Sequence, residues 1–439
     1  MEVLIKAAQL ILSLSILVVL HEFGHFLFAK LFKTRVEKFY LFFNPGFSLF
    51  RVKKGETEYG MGWLPLGGYV KISGMIDESM DKEQMNQPPK PYEFRSKPAW
   101  QRLLIMLGGV LMNFILAMLI YSSVLYVWGD RYLPTQNAEY GIAADSLAES
   151  VGFQDGDKIV SVEGKKVENF FKIHAEILLN EAETVVVKRD GRLKEVHIPS
   201  SSMRAIIKDQ TFMSPRIPVK VQQVQKETEA AEAGLKPGDK ILGINKKEEM
   251  FFYDELREKL KENRNKKADL IIEREGRIDT LPVNVPESGV LGFALAGVQE
   301  FFELNKINYG FFESIPAGIS RGVQTFKDYL KQLKLIFSPQ TKAYKEVGSF
   351  ITIGKIFPAQ WDWYSFWNLT AFLSIILGIL NVLPIPALDG GHVMFLLYEI
   401  ISGHKPSEKF LEYAQIVGMI ILLTIFVYAI GNDFIRHVF

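Results

Sequence analysis

The chain has 439 residues, with 51 Lys and Arg against 50 Asp and Glu, and no cysteine. Its length exceeds one compact domain, and a formal net charge of +1 gives no overall field that attracts nucleic acid, so no nucleic-acid partner is expected. The lack of cysteine excludes disulfides and thiolate metal sites, which leaves His and carboxylate side chains as metal ligands.

Four segments are apolar over the roughly 20 residues that a helix needs to cross a bilayer. Transmembrane helices are therefore predicted over residues 1–32, 100–128, 364–400 and 411–431. Lys and Arg are concentrated in the loop between the first two segments, which places that loop in the cytoplasm. Both termini and the long charged insert between the second and third segments are then expected on the opposite side of the membrane.

Residues 36–75 show the alternation and turn signals of short β-strands, which predict membrane-associated β-hairpins. The turns are expected at Asn44–Gly46 and Lys53–Glu56. Two arrangements would suit the apolar and aromatic side chains of this segment: a hairpin that dips toward a buried site, or a small sheet that rests on the membrane surface. Residues 76–99 are polar and proline-rich and are predicted to form a cytoplasmic loop.

The charged insert contains an internal repeat. Gly152–Val160 (GFQDGDKIV) recurs as Gly234–Leu242 (GLKPGDKIL), and Lys188–Arg192 recurs as Glu273–Arg277. Two matches at nearly constant spacing indicate duplicated domains of about 80 residues each, which is a common domain size.

The repeated unit resembles the PDZ domain, in which a glycine-containing loop binds a peptide carboxylate while the peptide adds a strand to a sheet edge. Two PDZ-like α+β domains are predicted over residues 133–205 and 215–300. Tyr140–Ile142 are assigned to the ligand loop of the first copy. In the second copy this loop is assigned to Leu291, Gly292 and Phe293.

After the insert, apolar residues recur at helical spacing between Ile315 and Phe337, with lysines among them. This pattern predicts an amphipathic helix within residues 305–345. It would pack either on the membrane surface or against the duplicated domains.

An H-E-x-x-H motif, His21 to His25, lies inside the first apolar segment. On a helix, His21 and His25 share one face and can bind one metal ion, with Glu22 beside them as a general base. Ionisable groups at bilayer depth cost roughly 2.5 kcal/mol or more each and indicate function. The alternative is a hydrogen-bonded cluster in a helix bundle without a metal.

A zinc hydrolase typically uses three protein ligands, so the two histidines need a partner. Asp389 follows Pro384 and Pro386, which cannot both sit in a regular helix. Because open backbone inside a bilayer must be buried in protein or border a cavity, Asp389 has a route to the metal. The alternative is that Asp389 only caps the helix that begins near Gly390.

Together these residues resemble the site-2 protease family of intramembrane zinc metalloproteases, and the tandem PDZ insert is similar to that of the bacterial RseP group. The matching segments are His21–His25, Gly67–Lys71, Asn113–Phe114, Asn381–Pro386 and Leu388–Gly390. The resemblance implies a polytopic α-helical membrane protein with four transmembrane helices, a membrane-associated β-hairpin sheet and two periplasmic PDZ-like domains. Its place would be a bacterial inner membrane, with both termini periplasmic and the active site toward the cytoplasmic side.

The resemblance also implies roles for individual residues. His21, His25 and Asp389 would bind one Zn²⁺ per chain, and Glu22 would assist the attack of zinc-bound water on a peptide bond. The substrate-binding positions would be Asn381, Pro384, Pro386, Gly67, Gly68 and Tyr69.

The implied substrates are single-span membrane proteins, such as anti-sigma factors or remnant signal peptides. They would be pre-cleaved by another protease, and the PDZ pair would act as a size filter.

Two other functions share part of this pattern. A membrane scaffold with a vestigial metal site would use the PDZ pair but would not need Glu22. A metal transporter with the same ligands would have no use for tandem PDZ domains. The presence of Glu22 together with both histidines and Asp389 favours an active protease.

Overall fold

The computed structural model describes residues 1–65, 67–75, 87–209, 211–248, 250–339, 341, 343–346 and 348–438. Leu66 and residues 76–86, which belong to the predicted β segment and the predicted cytoplasmic loop, lie outside the described residues. The chain divides into two units. The first comprises Met1–Gly129, Asn308–Lys334 and Tyr344–Phe439, and the second comprises Asp130–Ile307 and Leu335–Ala343.

The long helices follow the predicted apolar segments. Within the described residues they are α1 (Glu2–Leu31), α2 (Ala99–Trp128), α3 (Phe311–Phe337), α4 (Phe350–Ile356), α5 (Trp363–Val382), α6 (Asp389–Ser402) and α7 (Glu408–Val438). Four of them are long and apolar enough to cross a membrane in the part of the chain that is described, namely α1, α2, α5 and most of α7. The third predicted span is interrupted between α5 and α6, because Pro384 and Pro386 cannot continue a helix.

Helix α3 is the amphipathic helix that the sequence predicts, and part of its surface packs on other long helices. The ring of Phe326 lies 5.6 Å from that of Phe114 in α2, and Tyr329 lies 6.4 Å from Phe372 in α5. One side of α3 therefore packs along two of the long apolar helices, while most of the predicted stripe, including Ile319 and Leu330, is exposed. Packing of that stripe on the membrane surface or against the duplicated domains stays a prediction.

The strands described between α1 and α2 form one sheet. They are β1 (Val36–Leu41), β2 (Phe50–Lys54), β3 (Thr57–Met61) and β4 (Tyr69–Ile72), in the order β2-β3-β1-β4. Successive hairpins were predicted, but only β2 and β3 form one; β1 pairs parallel with β3 and antiparallel with β4. Gly60 permits the parallel pairing, because a Cβ at this position would collide with the ring of Tyr40 in β1.

The second unit contains the two repeats, each built from a three-stranded antiparallel sheet and a two-stranded one. The outer strands β5 (Asp130–Tyr132) and β16 (Asn305–Ile307) pair with each other. The first copy holds β6 (Ile142–Ala144), β7 (Lys158–Val162), β8 (Thr184–Arg189), β9 (Arg192–His197) and β10 (Met213–Pro215). The second holds β11 (Val221–Val224), β12 (Lys240–Ile244), β13 (Lys267–Arg274), β14 (Arg277–Asn284) and β15 (Phe293–Leu295). Their short helices are Ser146–Ser150, Ile173–Leu179, Met203–Lys208, Glu229–Glu232 and Tyr253–Glu262.

The repeated sequence motifs meet in space within each copy. Asp157 is fully buried and accepts hydrogen bonds from Nε and Nη2 of Arg189, both at 2.6 Å. Asp239, 1% exposed, accepts the same pair of bonds from Arg274 at 2.7 Å. Each arginine also donates to the carbonyl of the glycine that opens its motif. A buried ion pair thus joins the two motifs, which is a physical reason for their joint repetition.

Candidate active site

The H-E-x-x-H motif lies in the second half of α1, where this helix approaches α2 most closely. His21 and His25 are both buried, and their Nε2 atoms lie 3.2 Å apart. Glycines permit the approach: a Cβ on Gly24 would collide with the backbone of Gly108, and one on Gly109 would lie 2.5 Å from His25 Nε2. The four-residue spacing therefore brings both imidazoles to one face, as predicted.

Each imidazole is oriented through its Nδ1 atom by a group of α2. His25 Nδ1 lies 2.9 Å from the carbonyl oxygen of Ile105, and since a carbonyl only accepts, Nδ1 carries the proton and Nε2 keeps a free lone pair. His21 Nδ1 lies 3.1 Å from the amide of Asn113, which is fully buried. The Ile105 carbonyl thus fixes both the tautomer and the orientation of His25, and Nδ2 of Asn113 orients the ring of His21.

Asp389 is the first residue of α6 and points at the two histidines. Its Oδ2 atom lies 3.1 Å from His21 Nε2 and 3.3 Å from His25 Nε2. Oδ2 is buried and has no hydrogen-bond partner among the described residues. Leu388 occupies the N-cap position, and no side chain caps this helix. The alternative in which Asp389 only caps the helix is therefore wrong.

These three ligand atoms fit a zinc ion. They lie 3.1 to 3.3 Å from one another. Ligands bound at 2.0–2.1 Å around a tetrahedral ion are separated by about 3.3 Å. The unpartnered Asp389 oxygen and the fixed His25 tautomer both leave lone pairs directed at the space between the three side chains. The three side chains could thus hold one zinc ion between them.

Glu22 lies between the histidines in sequence and faces β4 in space. Glu22 lines the same cavity as Val70 of this strand. Gly68 precedes β4 and packs on α1, where a Cβ would lie 2.9 Å from Val18 and 3.7 Å from Glu22 Cγ. A larger residue at position 68 would push the strand away from the glutamate.

A cavity of about 380 Å³ opens at this site. Strand β4 is the edge of its sheet and borders the cavity, as expected if this segment dips toward a buried site. Tyr69 is held by ring stacking on Tyr40 and Phe43, at 5.3 and 6.2 Å between centroids. The lining residues include His21, Glu22, His25, Gly68, Tyr69, Val70, Asp389, His392 and Gln415.

The other expected substrate-binding residues lie close to the site but are not among the described residues that line the cavity. Asn381 is near the end of α5, with its Nδ2 atom 3.3 Å from His21 Nε2. Pro384 and Pro386 lie in the connection between α5 and α6. Gly67 adopts φ +149 and packs against the ring of Phe43.

The loop assigned to peptide binding in the second repeat precedes β15. Leu291, Gly292 and Phe293 line a cavity of about 400 Å³ together with the helix Tyr253–Glu262. Gly292 has φ +88, and a Cβ there would collide with Thr228. Glycine suits this position because it adopts a positive φ readily and has no Cβ to collide with Thr228.

The assignment of Tyr140–Ile142 as the counterpart loop was wrong. Ile142 N donates to the carbonyl of Asp157 at 2.9 Å, and Val221 N donates in the same way to Asp239 at 2.8 Å. Ile142 therefore begins β6, the equivalent of β11. In the first copy, the loop equivalent to that of Gly292 precedes β10. Gly141 indicated the wrong position because glycines occur in many kinds of turn.

Comparisons with known proteins agree with this site. The profile described as Peptidase family M50 matches residues 9–425. The "Regulator of sigma-E protease RseP" of Escherichia coli K12 is 28% identical over 460 residues, covering 98% of each protein. The "Regulator of sigma E protease" of Haemophilus influenzae is 27% identical over 468 residues, 99% of this chain and 100% of the relative.

A third relative, a Rickettsia conorii protein named as a zinc metalloprotease, is 28% identical over 428 residues, 96% of each protein. The family match spans nearly the whole chain and includes His21, His25 and Asp389. The chain therefore belongs to Peptidase family M50, the site-2 protease family, and is a zinc metallopeptidase.

Proposed function

We propose that this chain is an intramembrane endopeptidase that hydrolyses peptide bonds within or near the transmembrane segments of single-span membrane proteins. The observation that carries the proposal is the triangle of His21 Nε2, His25 Nε2 and Asp389 Oδ2 beside Glu22. Both histidines and Glu22 lie on α1, which is long and apolar enough to cross a membrane. The names of the relatives, regulators of sigma-E protease, support it.

In this proposal His21, His25 and Asp389 hold the zinc ion and Glu22 moves protons. Zinc, when bound, polarises the scissile carbonyl and lowers the pKa of water toward about 7. Glu22 accepts the proton of the attacking water and donates it to the leaving nitrogen as the C–N bond breaks. Glu22 lines the cavity together with the three proposed ligands, which places its carboxylate beside the reacting groups.

Strand β4 is proposed to hold the substrate. A transmembrane helix satisfies its backbone with internal hydrogen bonds, so a segment must unwind before its carbonyls can be attacked. The edge of β4 offers backbone groups for pairing with the unwound segment. In this arrangement Gly67 and Gly68 let the strand approach α1, and the stacked ring of Tyr69 keeps it rigid.

Asn381, Pro384 and Pro386 complete the proposed substrate site. Asn381 would hydrogen-bond the substrate backbone next to the metal ligands, as its distance of 3.3 Å from His21 Nε2 allows. The prolines keep the connection between α5 and α6 open, so that Asp389 starts a new helix at the cavity.

We further propose a bacterial inner membrane as the location, with the repeats and both termini in the periplasm and the active site toward the cytoplasmic side. The basic loop after α1 supports this orientation. The repeats would act as PDZ-like filters that admit substrates already shortened by another protease, such as anti-sigma factors or remnant signal peptides. Arg257 and Lys261 line the cavity beside Gly292, which suits a peptide carboxylate.

A reporter with one transmembrane segment tests the proposal. The purified, zinc-loaded chain is expected to cleave it, and Glu22→Ala is expected to abolish cleavage while zinc stays near one ion per chain. Glu2→Ala, at the exposed start of the same helix, is the matched control and should cleave as wild type. Cleavage by Glu22→Ala at the wild-type rate would exclude the proposed mechanism.

A further inference from the structure

Helix α7 contributes one polar side chain to the active-site cavity. Gln415 is 5% exposed and lines the same cavity as Glu22, His25 and Asp389. Its amide makes no hydrogen bond with any residue that the structure describes. Its polar atoms are not fully enclosed by protein, and the side chain borders the open space of the cavity.

Contacts of α7 hold Gln415 in this position. Gly418, one turn further along, packs so closely on the carbonyl of Pro386 that a Cβ would collide with it. Five residues before Gln415, the ring of Phe410 contacts that of Phe395 in α6, with 5.7 Å between the ring centroids. The place of Gln415 relative to the connection that leads into Asp389 is therefore fixed by packing on both sides.

The carboxamide of Gln415 limits the class of ligand that this side chain can bind. Buried polar groups in proteins nearly always have a hydrogen-bond partner, so an unused amide that faces a cavity indicates a ligand that enters the cavity. The amide is neutral and carries both a donor and an acceptor, as a peptide group does. A metal ion or a charged group would be better matched by a carboxylate, lysine or histidine at this position.

We propose that Gln415 binds the main chain of the substrate segment in the cleavage cavity, which rests on the protease function proposed above. An extended segment that pairs with β4 through one edge leaves the peptide groups of its other edge without partners. Gln415 supplies one of these partners from the wall formed by α6 and α7, while β4 lines another wall of the same cavity. It is a substrate-binding residue that holds the unwound segment in register.

Substitution of the amide tests this role. Gln415→Leu is expected to lower kcat/KM for the transmembrane reporter about tenfold, the effect of one lost hydrogen bond, with zinc content unchanged. Thr424→Val removes a polar group from an exposed position of the same helix and should leave kcat/KM as in wild type. If wild type cleaves the reporter and Gln415→Leu has the same kcat/KM, this inference is wrong while the proposed function stands. A zinc-loaded wild type that does not cleave overturns the proposed function, and this inference with it.

A backbone-ester series separates main-chain binding from a structural role. Synthetic transmembrane peptides, each with one peptide bond near the cleavage site replaced by an ester, are cleaved by wild type and by Gln415→Leu in detergent micelles. At one position the ester should lower the cleavage rate of the wild-type enzyme several-fold. The same ester should not lower the rate of the variant further, because the variant has already lost that hydrogen bond. Ester effects that are equal in both enzymes at every position contradict main-chain binding by Gln415.

Discussion

At the residue scale, the candidate metal site depends on groups outside the H-E-x-x-H motif. Asn113 contacts His21 Nδ1, the Ile105 carbonyl accepts from His25 Nδ1, and Gly109 leaves the two imidazoles room. All three lie on α2, so this helix positions the ligands that α1 carries. Substitutions on α2 should therefore act on zinc binding without removing any proposed ligand.

Asn113→Leu is expected to weaken zinc binding by about 10- to 100-fold, the usual effect of losing a partner that orients a metal-binding histidine. Competition with a calibrated chelator measures the affinity. Asn368→Leu removes a similar amide from α5, where it bonds only its own helix, and should keep wild-type affinity. Equal affinities for Asn113→Leu and wild type would show that Asn113 does not orient His21.

Gly109→Ala is expected to abolish both zinc binding and cleavage. The added Cβ would lie 2.5 Å from His25 Nε2 and 2.6 Å from His21 Cε1. Because the backbones of α1 and α2 lie close together here, neither helix can shift to make room for the methyl group. Gly431→Ala, in α7 with open space around the new Cβ, is the control and should retain both properties. A zinc-loaded, active Gly109→Ala protein would contradict the described α1–α2 contact.

At the scale of elements, β4 matters because it is both a sheet edge and a wall of the cavity. Gly68→Ala should lower kcat/KM by about 100-fold, the usual result of moving a substrate-positioning group by about 1 Å. The reason is that its Cβ would lie 2.7 Å from the Tyr40 carbonyl oxygen and 2.9 Å from Val18, which forces β4 away from α1.

Measured zinc content distinguishes this effect from loss of the metal, since Gly68 touches none of the proposed ligands. Gly310→Ala, before α3 with room for a methyl group, serves as the control. Unchanged kcat/KM in Gly68→Ala would exclude β4 as the substrate-binding strand.

At the scale of the whole molecule, each repeat depends on its own buried ion pair. Burial raises the pKa of Asp239, but hydrogen bonds from Arg274 and from the N–H of Lys236 outweigh it and hold the pKa below its usual value. A carboxylate with a lowered folded pKa adds stability above its unfolded pKa of about 3.9, and this stability is lost as pH falls through the folded pKa.

Asp239→Ala is accordingly expected to destabilise the second repeat by roughly 2 kcal/mol at pH 7, because it removes the hydrogen bonds that the carboxylate accepts from Arg274 and from the N–H of Lys236. Hydrogen exchange of residues 215–300 in the full chain measures the change at pH 7 and at pH 3, where the difference from wild type should shrink. Asp279→Ala, exposed on β14, is the control. Equal exchange in Asp239→Ala and wild type at pH 7 would contradict a stabilising role for the pair.

The sequence could predict the parts of this fold that are set by local spacing. Residues four apart on a helix share a face, and two prolines open a backbone, so the approach of Asp389 to His21 and His25 was foreseeable. Contacts between surfaces that lie far apart in sequence could not be foreseen. The parallel pairing of β1 with β3, the packing of α3 on α2 and α5, and the cavity position of Gln415 depend on which faces meet after folding, and no short motif encodes that.

The central claim is that one zinc site is assembled from two helices more than 350 residues apart in sequence. X-ray absorption at the zinc edge, combined with zinc stoichiometry, tests it most directly in wild type and Asp389→Ala. Wild type should show one zinc ion with nitrogen and oxygen ligands, two of them imidazoles. Asp389→Ala should lose zinc affinity by more than the 10- to 100-fold effect of an orienting partner. Wild-type affinity and an unchanged ligand shell in Asp389→Ala would contradict the claim.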